Sequence, residues 1–236
     1  MKMSAKNARG CVEAILFDLD GTLTDSFEGI TRSIQYAVTS LGAREPTRAE
    51  LKAYIGPPLR GTFALLLGTE DAQVIERALT LYRERFSVIG LFENEVYADV
   101  PRLLAALRAH QYRLYLATSK RRVYAERILA HFSLAHHFAR IYGTEFDGRY
   151  ENKAELIMHI LRQEHLVPET TLMIGDRSHD IIAAKQNGMR SIGVTYGYGT
   201  NEELVQADPD HICGSPADIV VFFCGPSPHK PDGDAS

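Results

Sequence analysis

The chain predicts an α/β protein: a doubly wound parallel sheet with helices on both faces and a small all-helical module inserted after the first strand. Three observations carry this reading. Short apolar runs of strand length alternate with runs of helical periodicity through the second half of the chain. The stretch from Ser26 to about Gly90 breaks that alternation, because it holds helical patterns and no strand-like run. Three predicted strands end in polar residues, and ligands of open parallel sheets bind outside the carboxyl ends of their strands.

Val12 to Phe17 is apolar and of strand length. Ile30, Ile34, Ala37, Val38 and Leu41 recur at helical spacing and predict a helix that stops near Gly42. Arg48–Tyr54, Leu59–Leu67 and Ala72–Phe86 predict three more helices, with Gly56-Pro57-Pro58 breaking the chain between the first two. Alternation then resumes. Helices are expected over Pro101–Ala109, Arg122–His131, Lys153–Glu164, Ile181–Asn187 and Ala217–Phe223. Strands are expected over Arg113–Thr118, Ile141–Gly143, Thr171–Ile174 and Arg190–Thr195, with a last edge strand within Ala207–Ser215. The segment Thr195 to Gly199 reads as a loop after a strand. This gives a Rossmann-like core over residues 11–24 and 96–224, a helical module over 25–95, and flexible ends at 1–10 and 225–236.

The 236 residues suffice for one such core and a small insert. Hydrophobic content of 45% and charged content of 24% are those of a soluble globular protein. A net charge of -4 gives no pull toward nucleic acid or anionic membrane. Cys11, Cys213 and Cys224 lie far apart, form no metal-ligand spacing and favour a reducing, cytoplasmic setting. Residues 1–10 lack the apolar core of a signal peptide.

The segment Ala14-Ile15-Leu16-Phe17-Asp18-Leu19-Asp20-Gly21-Thr22 is the most informative. Residues two apart on a strand share a side, so Asp18 and Asp20 project together beyond its end. Carboxylates held that close call for a cation or a shared proton, which suits a Mg²⁺ site and a division into nucleophile and proton donor. A surface turn rich in Asp and Gly accounts for this segment equally well when it is taken alone. The second strand ends in Thr118-Ser119-Lys120 and the third in Gly175-Asp176, with Asp180 one helical turn further on and Lys153 opening the helix between them.

In this order the four segments resemble the haloacid dehalogenase-like hydrolase superfamily: Asp18-Leu19-Asp20-Gly21-Thr22, then Thr118, then Lys153, then Gly175-Asp176-Arg177-Ser178-His179-Asp180. The likeness covers about residues 12 to 224, and four motifs in order are far more specific than one. The helical insert is similar to the family's type one cap. Asp25-Ser26-Phe27-Glu28-Gly29-Ile30, Tyr54-Ile55-Gly56-Pro57-Pro58-Leu59 and Ser191–Gly199 resemble the phosphoglycolate phosphatase and 5'-nucleotidase-like branch. Lys153-Ala154 stands where many phosphoglycolate phosphatases carry Lys-Pro, and Tyr97-Ala98-Asp99-Val100 where a Tyr-Pro-Gly-Val turn is usual; both depart from the phosphoglycolate phosphatases, and the Lys-Ala form is similar to the nucleotidase-like branch.

The resemblance implies a Mg²⁺-dependent phosphomonoesterase acting on a small phosphorylated metabolite, with Asp18 as nucleophile and Asp20 as acid and base. Asp18, the Asp20 carbonyl and Asp176 would hold the metal, with Asp180 ligating directly or through water. Thr118 and Lys153 would serve catalysis. The phosphoryl group would meet Leu19, Asp20, Thr118, Ser119 and Lys153, with Arg60 reaching in from the cap. Lys120 and Arg177 are expected mainly at the surface and His179 as a polar spacer. Cap motion is expected to open and close the site, with hinges near Thr24-Asp25 and Glu95–Tyr97. A phosphomutase and a non-catalytic phospho-accepting regulator share most of these residues. Asp20 argues against a dehalogenase, which lacks that carboxylate. The chain is expected as a monomer or homodimer.

Overall fold

The computed structural model describes residues 12–56 and 58–225. The expectations for residues 1–10 and 226–236, for Cys11 and for Pro57 lie outside them. Six parallel strands form the main sheet in the order β5-β4-β1-β6-β7-β8: β1 (Ala14–Phe17), β4 (Arg113–Arg121), β5 (Arg140–Thr144), β6 (Thr171–Gly175), β7 (Arg190–Val194) and β8 (His211–Cys213). β1 lies between β4 and β6, with Phe17 level with Leu116 on one side and Ile174 on the other. All four β1 residues are buried, as a strand covered on both faces requires. Ile15 and Phe17 enter one apolar cluster while Ala14 and Leu16 enter another, so alternate residues feed opposite layers. The chain winds from β1 to β4 and β5 on one side and to β6, β7 and β8 on the other. Strand order therefore reverses beside β1, at the place where such sheets open a crevice.

The insert holds α1 (Phe27–Ser40), α2 (Arg48–Leu51), α3 (Leu59–Leu67) and α4 (Ala72–Arg85). Asp25 caps α1 by accepting a 3.0 Å bond from the Phe27 N–H. Thr47 and Glu50 form a reciprocal capping box at α2, which tightens into a 3₁₀ turn over Lys52–Tyr54. The helix expected over Ala72–Phe86 instead passes into a π turn over Phe86–Gly90. The apolar side chains of the insert, Ile34, Phe63 and Phe86 among them, join the same cluster as Phe17 and Leu116. The insert enters and leaves through β2 (Thr24–Asp25) and β3 (Glu95–Val96), an antiparallel pair of two residues each. Strands that short carry no periodicity that a sequence reading can use.

In the core, α5 (Val100–Ala109), α6 (Arg122–His131), α7 (Lys153–Gln163) and α10 (Pro216–Cys224) fall within a residue or two of expectation. Two departures matter for the site. α8 (Ser178–Gln186) starts three residues earlier than its apolar pattern indicates, which puts Asp180 inside the first turn. α9 (Asn201–Ala207) has no counterpart in the expected elements, because seven polar-rich residues show little amphipathic stripe. Among the described residues no helix is long and apolar enough to cross a membrane. Cys213 is a buried free thiol.

Candidate active site

Asp18 leaves β1 at the sheet's carboxyl edge, its N–H donating to the Ile174 carbonyl at 2.9 Å. Its side chain is buried, and Oδ1 accepts from Lys153 Nζ at 2.8 Å. The same ammonium lies 2.7 Å from Asp180 Oδ1. Lys153 opens α7, whose N-terminus is capped by Asn152 accepting from the Ala154 and Glu155 N–H groups. Asp176 follows β6 and is fully buried. It accepts from the Tyr198 N–H at 2.8 Å and from Thr22 Oγ1 at 3.4 Å. Asp180 accepts from the Arg177 N–H at 3.2 Å. Asp18, Asp176 and Asp180 each offer an oxygen within 4.8 Å of the others.

Three carboxylates and one ammonium in a buried space leave an excess of negative charge, and the proton affinities show it. Burial pushes Asp18 up, Lys153 pulls part of that back, and Asp180 adds to the rise. Asp176 is driven well above the usual carboxylate range by burial and then by the charges of Asp18 and Asp180. Burial also penalises Asp180, but the ammonium of Lys153, with His179 and the Arg177 N–H beside it, outweighs it and holds that group below the ordinary value. Burial would lower Lys153, yet Asp18 and Asp180 together raise it, so it stays charged.

The turn that follows β1 is shaped by this cluster. Gly21 has φ of +83°, and a Cβ there would lie 2.2 Å from Asp176 Oδ2. The Leu19 carbonyl accepts from the N–H groups of Leu23 and Thr24 at 2.8 and 3.0 Å, which closes the turn. The loop after β7 clasps it from outside. Tyr196 donates to the Thr22 carbonyl at 2.8 Å, and Tyr198 donates to Asp25 Oδ1 at 2.8 Å, at the doorway to the insert.

Asp20 stands apart from the three-carboxylate cluster. Its Oδ2 pairs with Lys120 Nζ at 2.8 Å, while Oδ1 is buried and has no hydrogen-bond partner among the described residues. Thr118 is buried, and its Oγ1 accepts from the Lys120 N–H at 3.2 Å across an irregularity in β4. Ser119 lies beside it, half-buried. Among the described residues Arg60 makes no hydrogen bond or ion pair with the site's carboxylates. Its guanidinium pairs with Glu76 at the surface of the insert, with its side chain 56% exposed.

Two surface expectations are corrected. The Lys120 side chain is only 6% exposed, and its ammonium lies 4.8 Å from the centre of the Phe86 ring. The Arg177 side chain is 17% exposed, pairs with Glu203 of α9 at 3.0 Å and donates to the Ile55 carbonyl of the insert. Glu203 also accepts from the Ser178 N–H and hydroxyl. Both side chains turn inward because the insert covers them, and a long cation beside a motif gives no sign of that in sequence. His179 is partly exposed, and its ring lies 3.9 Å from Asp180.

The matched family is the haloacid dehalogenase-like hydrolases, over residues 15–194. The chain is 50% identical over 208 residues to a 5'-nucleotidase of Pseudomonas aeruginosa, covering 88% of this chain and 92% of that one. It is 38% identical over 187 residues to the tyrosine-protein kinase PtkA of Mycobacterium tuberculosis, covering 79% of this chain and 63% of the relative. A haloacid dehalogenase-like hydrolase from Streptococcus pneumoniae superposes with a TM-score of 0.85 at 31% identity, covering 91% and 99% of the two chains. The protein belongs to the haloacid dehalogenase-like hydrolase family and is an enzyme of that hydrolase class.

Proposed function

We propose that this protein is a phosphomonoesterase that hydrolyses a small phosphorylated metabolite, with a nucleoside 5'-monophosphate as the favoured substrate class. One observation carries the chemistry: a buried aspartate at a strand end, held by a lysine and flanked by two further carboxylates, with a fourth carboxylate two residues away. The 50% identity to a 5'-nucleotidase and the Lys153-Ala154 pair support the substrate class.

The steps assign each residue one task. An oxygen of Asp18 attacks phosphorus in line, the ester P–O bond breaks, and its electron pair goes to the leaving oxygen. Asp20 gives that oxygen a proton, so an alcohol departs. A water then gives a proton back to Asp20 and attacks phosphorus, and the P–O bond to Asp18 breaks with its pair returning to the carboxylate. The sum is ester plus water to alcohol plus phosphate. Lys153 holds Asp18 in position and offsets the charge of the transferring group. The backbone N–H groups of Leu19 and Asp20, together with Thr118 and Ser119, would receive phosphoryl oxygens.

The donor set fits Mg²⁺. Its oxygens are hard, and Asp176, forced toward protonation by burial and its neighbours, is relieved by a dication. Asp18, the Asp20 carbonyl and Asp176 would hold the ion, with Asp180 in direct or water-bridged contact. Bound there, Mg²⁺ supplies charge for the phosphoryl oxygens. The test is phosphate release from nucleoside monophosphates, phosphoglycolate, sugar phosphates and pyrophosphate, with Mg²⁺ and with EDTA. Metal-dependent release, best on nucleoside monophosphates, supports the reading. Isomerisation of a sugar phosphate without free phosphate would replace it with a mutase.

A further inference from the structure

Lys120 joins the insert to Asp20. Phe86, first residue of the π turn, is stacked on Tyr82 with ring centres 5.1 Å apart and an interplanar angle of 15°. Its other neighbours come from the core: Lys120 Nζ at 4.8 Å from the ring centre and Tyr124 edge-on at 5.7 Å. The Lys120 ammonium continues to Asp20 Oδ2 at 2.8 Å. The charge of Asp20 is felt at the Tyr82 hydroxyl, which burial and that charge push well above the ordinary phenol value. Tyr82, Phe86, Lys120 and Asp20 thus form one line of contact from insert to reacting group. A buried ammonium beside an aromatic face and a carboxylate is held by both. Of the two Asp20 oxygens, Oδ2 is taken by Lys120, and Oδ1 is buried and without a hydrogen-bond partner among the described residues.

We infer that Lys120 is the positioning residue for Asp20. It pins Oδ2 so that Oδ1 is the oxygen that gives a proton to the leaving group and takes one back from water, and Phe86 of the insert keeps Lys120 in that place. The inference rests on Asp20 being the acid of the proposed phosphatase. It adds that the acid is oriented by the insert, so covering the site and setting the proton donor are one event. π turns inside helices recur at functional sites, and here the turn begins at the residue that meets Lys120.

The experiment compares two esters on the wild type, Lys120→Met, Phe86→Leu and the double variant. One is p-nitrophenyl phosphate, whose leaving group needs no proton. The other is glycerol phosphate, whose alkoxide does. Lys120→Met is expected to lower kcat/KM, which closes before the water step that both esters share, about tenfold more on glycerol phosphate than on p-nitrophenyl phosphate, a small part of what a general acid supplies. Phe86→Leu should discriminate in the same direction by a smaller factor. The double variant should be no worse than Lys120→Met, because the two side chains act in series. Equal losses on both esters would overturn the inference, as would a rise in KM alone, which would make Lys120 a substrate-anion contact. If Lys120→Met does not fold, Phe86→Leu supplies the same ratio. A wild type that hydrolyses neither ester nor any nucleoside monophosphate would instead sink the phosphatase reading itself.

Discussion

The two sides of the site are built differently. The sheet side, Asp18 with Lys153, Asp176 and Asp180, stands on strand ends and first helical turns inside the core, fully enclosed and cross-linked by short polar contacts. The insert side consists of bridges between separate elements: Lys120 to Phe86, Arg177 to the Ile55 carbonyl, and Tyr198 to Asp25. In the first, every partner stands on an element of the core. The second exists only while the insert lies where it does. Groups that carry charge through a reaction gain from a fixed frame, while groups that admit and select a substrate must be able to part.

The sharpest way to break the comparison is at its centre. Asp18→Asn should remove turnover by about 10⁴-fold or more, as loss of a nucleophile does. Its circular dichroism should stay that of the wild type, because the substitution keeps volume and hydrogen-bonding capacity. Retained phosphate release would move the chemistry elsewhere.

Lys153→Met should cost both activity and fold. Removing one partner of a buried ion pair leaves uncompensated charge and costs about 3–5 kcal/mol. Here two carboxylates lose the same partner. Urea unfolding would read the loss, and a shift within experimental error would mean the sheet side is less tightly coupled than its geometry indicates.

Metal should act on the sheet side with a sign set by pH. In the metal-free protein the folded-state proton affinities of Asp18 and Asp176 are raised. Their contribution to stability is present in full below the ordinary carboxylate value and lost as pH rises through the raised ones. Asp180, held low, works the other way, keeping its contribution above the ordinary value and losing it as pH falls. A dication prefers the deprotonated set, so the rise in Tm on adding Mg²⁺ should grow from pH 5 to pH 8. At a hundredfold excess over Kd the gain is about 2.7 kcal/mol, or roughly 5–10 °C for a chain of this size. A pH-independent increment would speak against binding at these carboxylates.

The smallest effect is expected on the insert side. Arg177→Ala removes a charged donor from the Ile55 carbonyl, a bond worth about 1.5–3 kcal/mol at most. KM should rise about 3–10-fold through a looser insert, with kcat little changed. A fall in kcat with KM unchanged would place Arg177 with the chemistry.

The sequence by itself determined the sheet side. Three polar segments, each at a predicted strand end or helix start, are enough to bring Asp18, Lys153, Asp176 and Asp180 together, because a parallel sheet aligns its carboxyl ends whatever the spacing between them. The order of strand and helical runs likewise determined the doubly wound core and the helical insert, since periodicities of 2 and 3.6 are local properties of the chain. Only the tertiary structure decided where Lys120, Arg177 and Tyr198 point. Each has an unremarkable local sequence and acquires its partner from an element 34 to 173 residues away. The short β2–β3 doorway, the polar helix α9 and the π turn at Phe86 belong to the same class. Their stability comes from what packs against them, and local pattern carries no record of that.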